Sequence, residues 1–125
     1  MLTDSHTHLY LKEFDHDIDA IITEAINKKI TRFLLPNIDN KSLPKLLKTC
    51  EKYKNLLFPM IGLHPCQVDE YYIQELNKLH KHINQNKFIG IGEVGIDLYW
   101  SKQFIEQQKD AFNIQIEWGS KENLP

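Results

Sequence analysis

The sequence predicts an α/β protein built from parallel βα units, and three observations carry that expectation. Short apolar runs of strand length alternate with longer stretches whose apolar residues recur at three- and four-residue spacing. The runs are continuously apolar, as in strands buried on both faces, and polar or glycine residues collect where each run ends. Parallel neighbours need a crossover, and each amphipathic stretch is long enough to supply one.

The first run, Met1-Leu2-Thr3-Asp4-Ser5-His6-Thr7-His8-Leu9, reads as a short strand. Alternate side chains of a strand share a face, so His6 and His8 project together, Thr7 faces away, and Asp4 stands where its carboxylate would orient an imidazole. Tyr10 to Phe14 reads as a loop. Asp15 or Asp17 then caps a helix to about Lys28 with Ile18, Ile21, Ile22, Ala25 and Ile26 on its buried face. Thr31 to Ile38 is the second strand, and Ser42 caps a second helix with Leu43, Leu46, Leu47 and Cys50 inward and Lys45, Lys48 and Lys52 outward. Leu56 to Pro65 is a third strand, stopped by proline. Asp69 to Asn84 forms a third helix with Ile73, Leu76, Leu79 and Ile83 inward. Lys87 to Asp97 gives a fourth, glycine-rich strand, and from Ser101 a fourth helix presents Phe104, Gln108, Ala111, Phe112 and Gln115 before fading near Gly119.

Bulk properties bound the function. The chain has 125 residues, enough for one domain but short of the roughly 250 of a closed eight-stranded barrel. A net charge of −2 supplies no global basic field, so any nucleic-acid contact must come from a local patch or a metal site. Cys50 and Cys66 sit without metal-ligand spacing and read as reduced thiols. No apolar run approaches the 18 or so residues of a membrane span, and no signal peptide is evident, so the expectation is a cytoplasmic protein with no membrane partner.

The strand ends present His6 and His8, then Asn37, His64, Glu93 and Asp97. Imidazoles and carboxylates of this kind hold divalent ions, and a carboxylate can bridge two of them. Glu93 lies between Gly92 and Gly95, which let a substrate approach the backbone; the alternative is a solvated loop carboxylate, which its position after a buried run disfavours. His64 alone reads equally as ligand, substrate contact or strand-end cap. His16, His80 and His82 fall on helices or their starts and read as surface histidines. Tyr99 and Trp100 either stack a base or anchor the fourth helix, and Lys45, Lys48, Lys52 and Lys54 read as a solvated face.

Asp4-Ser5-His6-Thr7-His8, Gly62-Leu63-His64-Pro65 and Gly92-Glu93-Val94-Gly95-Ile96-Asp97, with Gln107 and Gln108 opening the next helix, together resemble the TatD family of metal-dependent deoxyribonucleases. The resemblance implies a (β/α) TIM barrel of the metallo-dependent hydrolase type, of which the first four βα units are present as a single domain over residues 1–125. It implies phosphodiester hydrolysis in DNA as a 3′ exonuclease, with two divalent ions per complete site, Mg²⁺ foremost and Mn²⁺ or Zn²⁺ as alternatives. His6 and His8 would ligate the first metal, Glu93 would bridge both and act in catalysis, and His64 would contact substrate, with Asp97 on the same rim. Later strands of the family supply further histidines and an aspartate that nothing here matches. The chain therefore reads as the N-terminal half of such a protein, able to bind at most one metal weakly and with little or no activity alone. A missing C-terminal half, or self-association through open barrel edges, is the implied partner. Two other readings remain: a non-catalytic fragment or pseudo-enzyme acting as an interaction module, and another metal-dependent hydrolase such as a PHP-type phosphatase or an amidohydrolase.

Overall fold

A computed structural model describes residues 1–125 and places β1 (Leu2–Asp4), α1 (Ile18–Asn27), β2 (Ile30–Leu35), α2 (Leu43–Lys52), β3 (Leu57–Pro59), α3 (Tyr72–Ile83) and α4 (Ile105–Glu122) in alternating order. Short 3₁₀ turns at Lys12–Phe14 and Pro65–Gln67 follow the first and third strands. The sheet is parallel throughout, with the order β1-β2-β3. Phe33 lies opposite Leu57 and Leu35 opposite Pro59, so the strands end nearly level and their following loops share one end of the sheet.

The first strand is shorter than expected. It stops at Asp4, because the Asp4 carboxylate accepts the backbone N–H of His6 at 3.1 Å and turns the chain out of the ladder. His6 and His8 therefore lie beyond the strand, and Asp4 holds a backbone amide instead of an imidazole. The expected fourth strand is also reduced, to a single parallel bridge between Ile61 and Ile91. Ile89 N–H still donates to the Pro59 carbonyl and Gly92 N–H to that of Ile61, so the segment follows β3 in the parallel sense. Beyond Gly92 its pairing passes to Asn37, whose carbonyl accepts Glu93 N–H at 2.9 Å.

Packing divides into two clusters. Leu9, Tyr10, Ile22, Phe33, Leu35, Leu46, Cys50 and Leu57 join β2, β3 and the segment after β1 to α1 and α2. Ile61, Leu63, Leu76, Leu79, Ile83, Phe88 and Trp118 join the third and fourth units. Along β2, Phe33 and Leu35 are buried while Arg32 is exposed and Leu34 half-buried, so this strand is covered on one face only. Three strands and a bridge do not close into an enclosed interior, and the inner face stays open.

Several inward assignments change. Ile73 is exposed, because α3 starts at Tyr72 and turns its Leu76, Leu79 and Ile83 stripe inward with Tyr72 beside it. Phe112 is half-buried, whereas Trp118, just before the expected fade of α4 near Gly119, is core and packs its ring 5.1 Å from that of His80, and the helix continues to Glu122. His80 and His82 are thus half-buried, and only His16 of the helix histidines is exposed. Ser42 does not cap α2 through its side chain; the Asp39 carboxylate accepts Ser42 N–H at 2.8 Å and the Asp39 carbonyl accepts Leu43 N–H. Lys45 and Lys52 do not stand free, pairing with Asp15 at 2.6 Å and Asp19 at 3.3 Å respectively.

Both cysteines are free thiols with different environments. Burial pushes the Cys50 thiol up to about 12. Cys66 is exposed, yet partial desolvation, followed by the Asp97 carboxylate, also raises it. A raised pKa lowers the thiolate fraction at any given pH, and thiolate is the reactive form. In a labelling assay at pH 8 with a disulfide reagent, one thiol should react in the native protein, more slowly than free cysteine, and the second only after denaturation. Two thiols reacting at similar native rates would contradict the burial of Cys50.

Candidate metal centre

Because the strands are parallel and β2 and β3 end level, with β1 stopping two residues earlier, the segments after β1 and β3 and the Glu93 loop meet at one end of the sheet. The Asp4 turn throws His6 and His8 over that end, and their rings meet edge to face with centroids 5.1 Å apart. His6 Nε2 lies 3.2 Å from His8 Nε2 and 3.1 Å from Glu93 Oε2, and His8 Nε2 lies 3.3 Å from the same carboxylate oxygen. These three residues form a cluster whose ligand atoms lie close enough together to hold one metal ion. Ligands about 2.0–2.2 Å from a divalent ion stand roughly 3 Å or slightly more apart, so the triangle already has the size that one ion requires. The atoms are also of the right type, two imidazole nitrogens and one carboxylate oxygen, a set that accepts Mg²⁺, Mn²⁺ or Zn²⁺.

The carboxylate has a second face. His64 Nε2 lies 3.2 Å from Glu93 Oε1, the oxygen that the His6–His8 pair does not approach most closely. On the other side of that ring, His64 Nδ1 accepts the backbone N–H of Cys66 at 3.0 Å, closing the 3₁₀ turn at Pro65. His8 Nδ1 lies 3.0 Å from the Tyr10 hydroxyl, which donates to the Pro36 carbonyl at 2.8 Å. Burial holds His8 below the ordinary imidazole range; Glu93 opposes this, and His6 and His64 reinforce it more weakly. The ring is accordingly in its neutral, ligating form at neutral pH.

Asn37 is completely buried and does not reach the cluster. Its side-chain amide donates to the carbonyls of Gly62 at 2.9 Å and Asp39 at 3.0 Å, its Oδ1 accepts the Ser42 hydroxyl, and its backbone pairs with Gly92 and Glu93. It is a tie between strand ends that fixes where Glu93 and the His64 segment stand. Asp97 lies outside the cluster, its carboxylate accepting Tyr99 N–H at 2.9 Å and its backbone clasped at both N–H and carbonyl by the buried Gln108 amide. With Cys66, Ser101 and Gln103 it lines a cleft of about 320 Å³ beside the site. Tyr99 and Trp100 are exposed and pack on each other, centroids 4.9 Å apart, so neither anchors α4. The residue the sequence did not single out is Tyr10; its signal was an apolar pair, Leu9-Tyr10, placed directly after the histidines.

A run of parallel βα units with an imidazole–carboxylate cluster at its strand ends is the arrangement expected of barrel-class metal-dependent hydrolases. The TatD related DNase family matches residues 3–125, and the chain belongs to that family. Among its relatives, the uncharacterized metal-dependent hydrolase YabD of Bacillus subtilis is 29% identical over 125 residues, which cover 100% of this chain and 49% of that protein. The deoxyribonuclease TATDN3 of Homo sapiens is 25% identical, with 99% of this chain and 50% of that one aligned. The crystal structure of the TatD homologue YjjV of Escherichia coli K12 superposes with a TM-score of 0.89 at 23% identity, over 99% of this chain and 48% of that chain. The fold is thus that of part of a TIM-barrel hydrolase, and the chain spans about half the length of the relatives it matches. No helix is long and apolar enough to cross a membrane.

Proposed function

We propose that these residues form the first-metal half of a phosphodiesterase site acting on single-stranded DNA from the 3′ end, with His6, His8 and Glu93 as ligands. The observation that carries the reading is the triangle of His6 Nε2, His8 Nε2 and Glu93 Oε2, each edge 3.1–3.3 Å, assembled from segments 87 residues apart. A divalent ion held there supplies Lewis acidity toward a phosphoryl oxygen. Glu93 holds its carboxylate between that position and His64, and in the complete site it would face a second ion through Oε1.

His64 has a different part. Its Nδ1 accepts Cys66 N–H, so in the neutral ring the proton resides on Nε2, the nitrogen that faces Glu93. An Nε2–H donates; it does not ligate. That supports His64 as a hydrogen-bond donor to a phosphate oxygen at the rim, with Asp97 bordering the adjoining cleft.

His16, His80 and His82 are not in the cluster, so these 125 residues offer one set of histidine ligands and not a second. The chain alone is accordingly expected to take up one ion and to turn over little or no DNA. The reading is tested with a 3′-labelled single-stranded oligonucleotide and Mg²⁺ or Mn²⁺ against EDTA. The chain is assayed alone and co-expressed with the C-terminal half of a family member, with Glu93→Ala as control. Metal-dependent cleavage that appears on co-expression and vanishes in Glu93→Ala is the expected result. Cleavage by the chain alone would show that one metal set suffices, and cleavage unaffected by Glu93→Ala would refute the assignment.

A further inference from the structure

Three imidazoles face Glu93 with their Nε2 atoms, and two of them, His8 and His64, are held by their Nδ1 atoms in opposite ways. His64 Nδ1 meets a donor, the Cys66 amide. His8 Nδ1 meets the Tyr10 hydroxyl, whose role depends on where its one proton goes. The Pro36 carbonyl, 2.8 Å from that hydroxyl, can only accept, and Tyr10 is 1% exposed, so no solvent competes for the bond. The phenol proton is therefore committed to Pro36, and the phenol oxygen turns a lone pair to His8. The Nδ1 of His8 must carry the ring's proton, which leaves Nε2 bare.

We propose that Tyr10 is the positioning residue of His8: its buried hydroxyl accepts the Nδ1 proton and keeps an unprotonated Nε2 aimed at the point shared by His6 and Glu93. The orientation is built into the fold. Tyr10 belongs to the cluster formed by Phe33, Leu35 and Leu46, and its hydroxyl is tied to the residue that follows β2. Tertiary packing is thereby converted into a choice of tautomer, the usual task of a hydrogen-bond partner behind a metal-ligating histidine. The consequence for metal binding rests on the reading of His8 as a ligand; the tautomer itself does not.

Nitrogen-15 NMR of the histidine rings in the metal-free chain reads the proposal directly. His8 should show a protonated Nδ1 and a bare Nε2, and His64 the reverse. Tyr10→Phe removes one oxygen and keeps the ring that fills the core. In it, His8 should move to a mixture of tautomers while His64 keeps its pattern, and Mn²⁺ affinity measured by calorimetry should fall about tenfold or more. A protonated Nε2 on His8 in the unaltered chain would overturn the proposal even if Tyr10→Phe fails to fold. So would a folded Tyr10→Phe protein whose His8 tautomer is unchanged. A chain that keeps the bare Nε2 but binds no Mn²⁺ would uphold the positioning role and refute the metal reading instead.

Discussion

Replacing Glu93 by glutamine should reduce the Mn²⁺ affinity of this chain at least about 100-fold, while leaving the fold intact. Glutamine has nearly the same shape, but its neutral carbonyl is a poor ligand for a divalent ion, and its NH₂ group would point into a set of imidazoles. The fold has little to lose. The polar partners of the Glu93 side chain are His6, His8 and His64, and the segment is held through its backbone, with Glu93 N–H on the Asn37 carbonyl at 2.9 Å. Calorimetric titration checks the affinity and thermal unfolding checks the fold. An affinity within about twofold of the unaltered chain would mean that Glu93 is a solvated loop carboxylate and that any ion sits elsewhere.

Gly62→Ala should destabilise the protein by about 3 kcal/mol and loosen the metal centre with it. A Cβ at position 62 would stand 2.7 Å from the Gly92 carbonyl carbon, 2.9 Å from the Glu93 carbonyl oxygen and 3.0 Å from the Glu93 nitrogen. All of these are backbone, so relief requires the Glu93 segment to move away from the third strand's end. The same movement breaks the Asn37 tie, which joins the Gly62 carbonyl to Glu93. Gly92→Ala provides the contrast, because its Cβ would meet the Met60 methyl at 2.5 Å, the far end of a flexible side chain that can swing aside. That variant should cost about 1 kcal/mol. Urea unfolding of the two variants separates them, and equal losses would show that close approach at Gly62 is not what sets the position of Glu93.

The sequence made the βα order legible because apolar runs and amphipathic stretches alternate over the whole chain, and the parallel sheet follows from that order. It also paired His6 with His8, although for a reason that needs amending. Their convergence comes from the Asp4 turn and not from strand alternation. That Glu93 should reach those histidines follows from level parallel strand ends only once the segment's register is known, and register is a long-range property. Tyr10 and Asn37 show the opposite limit. Each is a polar group whose task is to bond backbone or ring atoms far off in the chain, Tyr10 to Pro36 and Asn37 to Gly62, and local pattern carries no mark of such partners. Tyr10 therefore read as the start of a loop, and Asn37 as one more polar group at the mouth. His64 stayed ambiguous for the same reason. Its role follows from which proton its Nδ1 receives, and the Cys66 amide supplies it only because Pro65 starts a 3₁₀ turn.

The central claim is that His6, His8 and Glu93 hold one divalent ion, and the most direct measurement is anomalous scattering from crystals of the chain soaked in Mn²⁺. The account predicts a single strong peak about 2.0–2.2 Å from His6 Nε2, His8 Nε2 and Glu93 Oε2, with the His8 ring still bonded through Nδ1 to Tyr10. A peak on other residues, or no peak at Mn²⁺ concentrations that saturate the calorimetric titration, would contradict it.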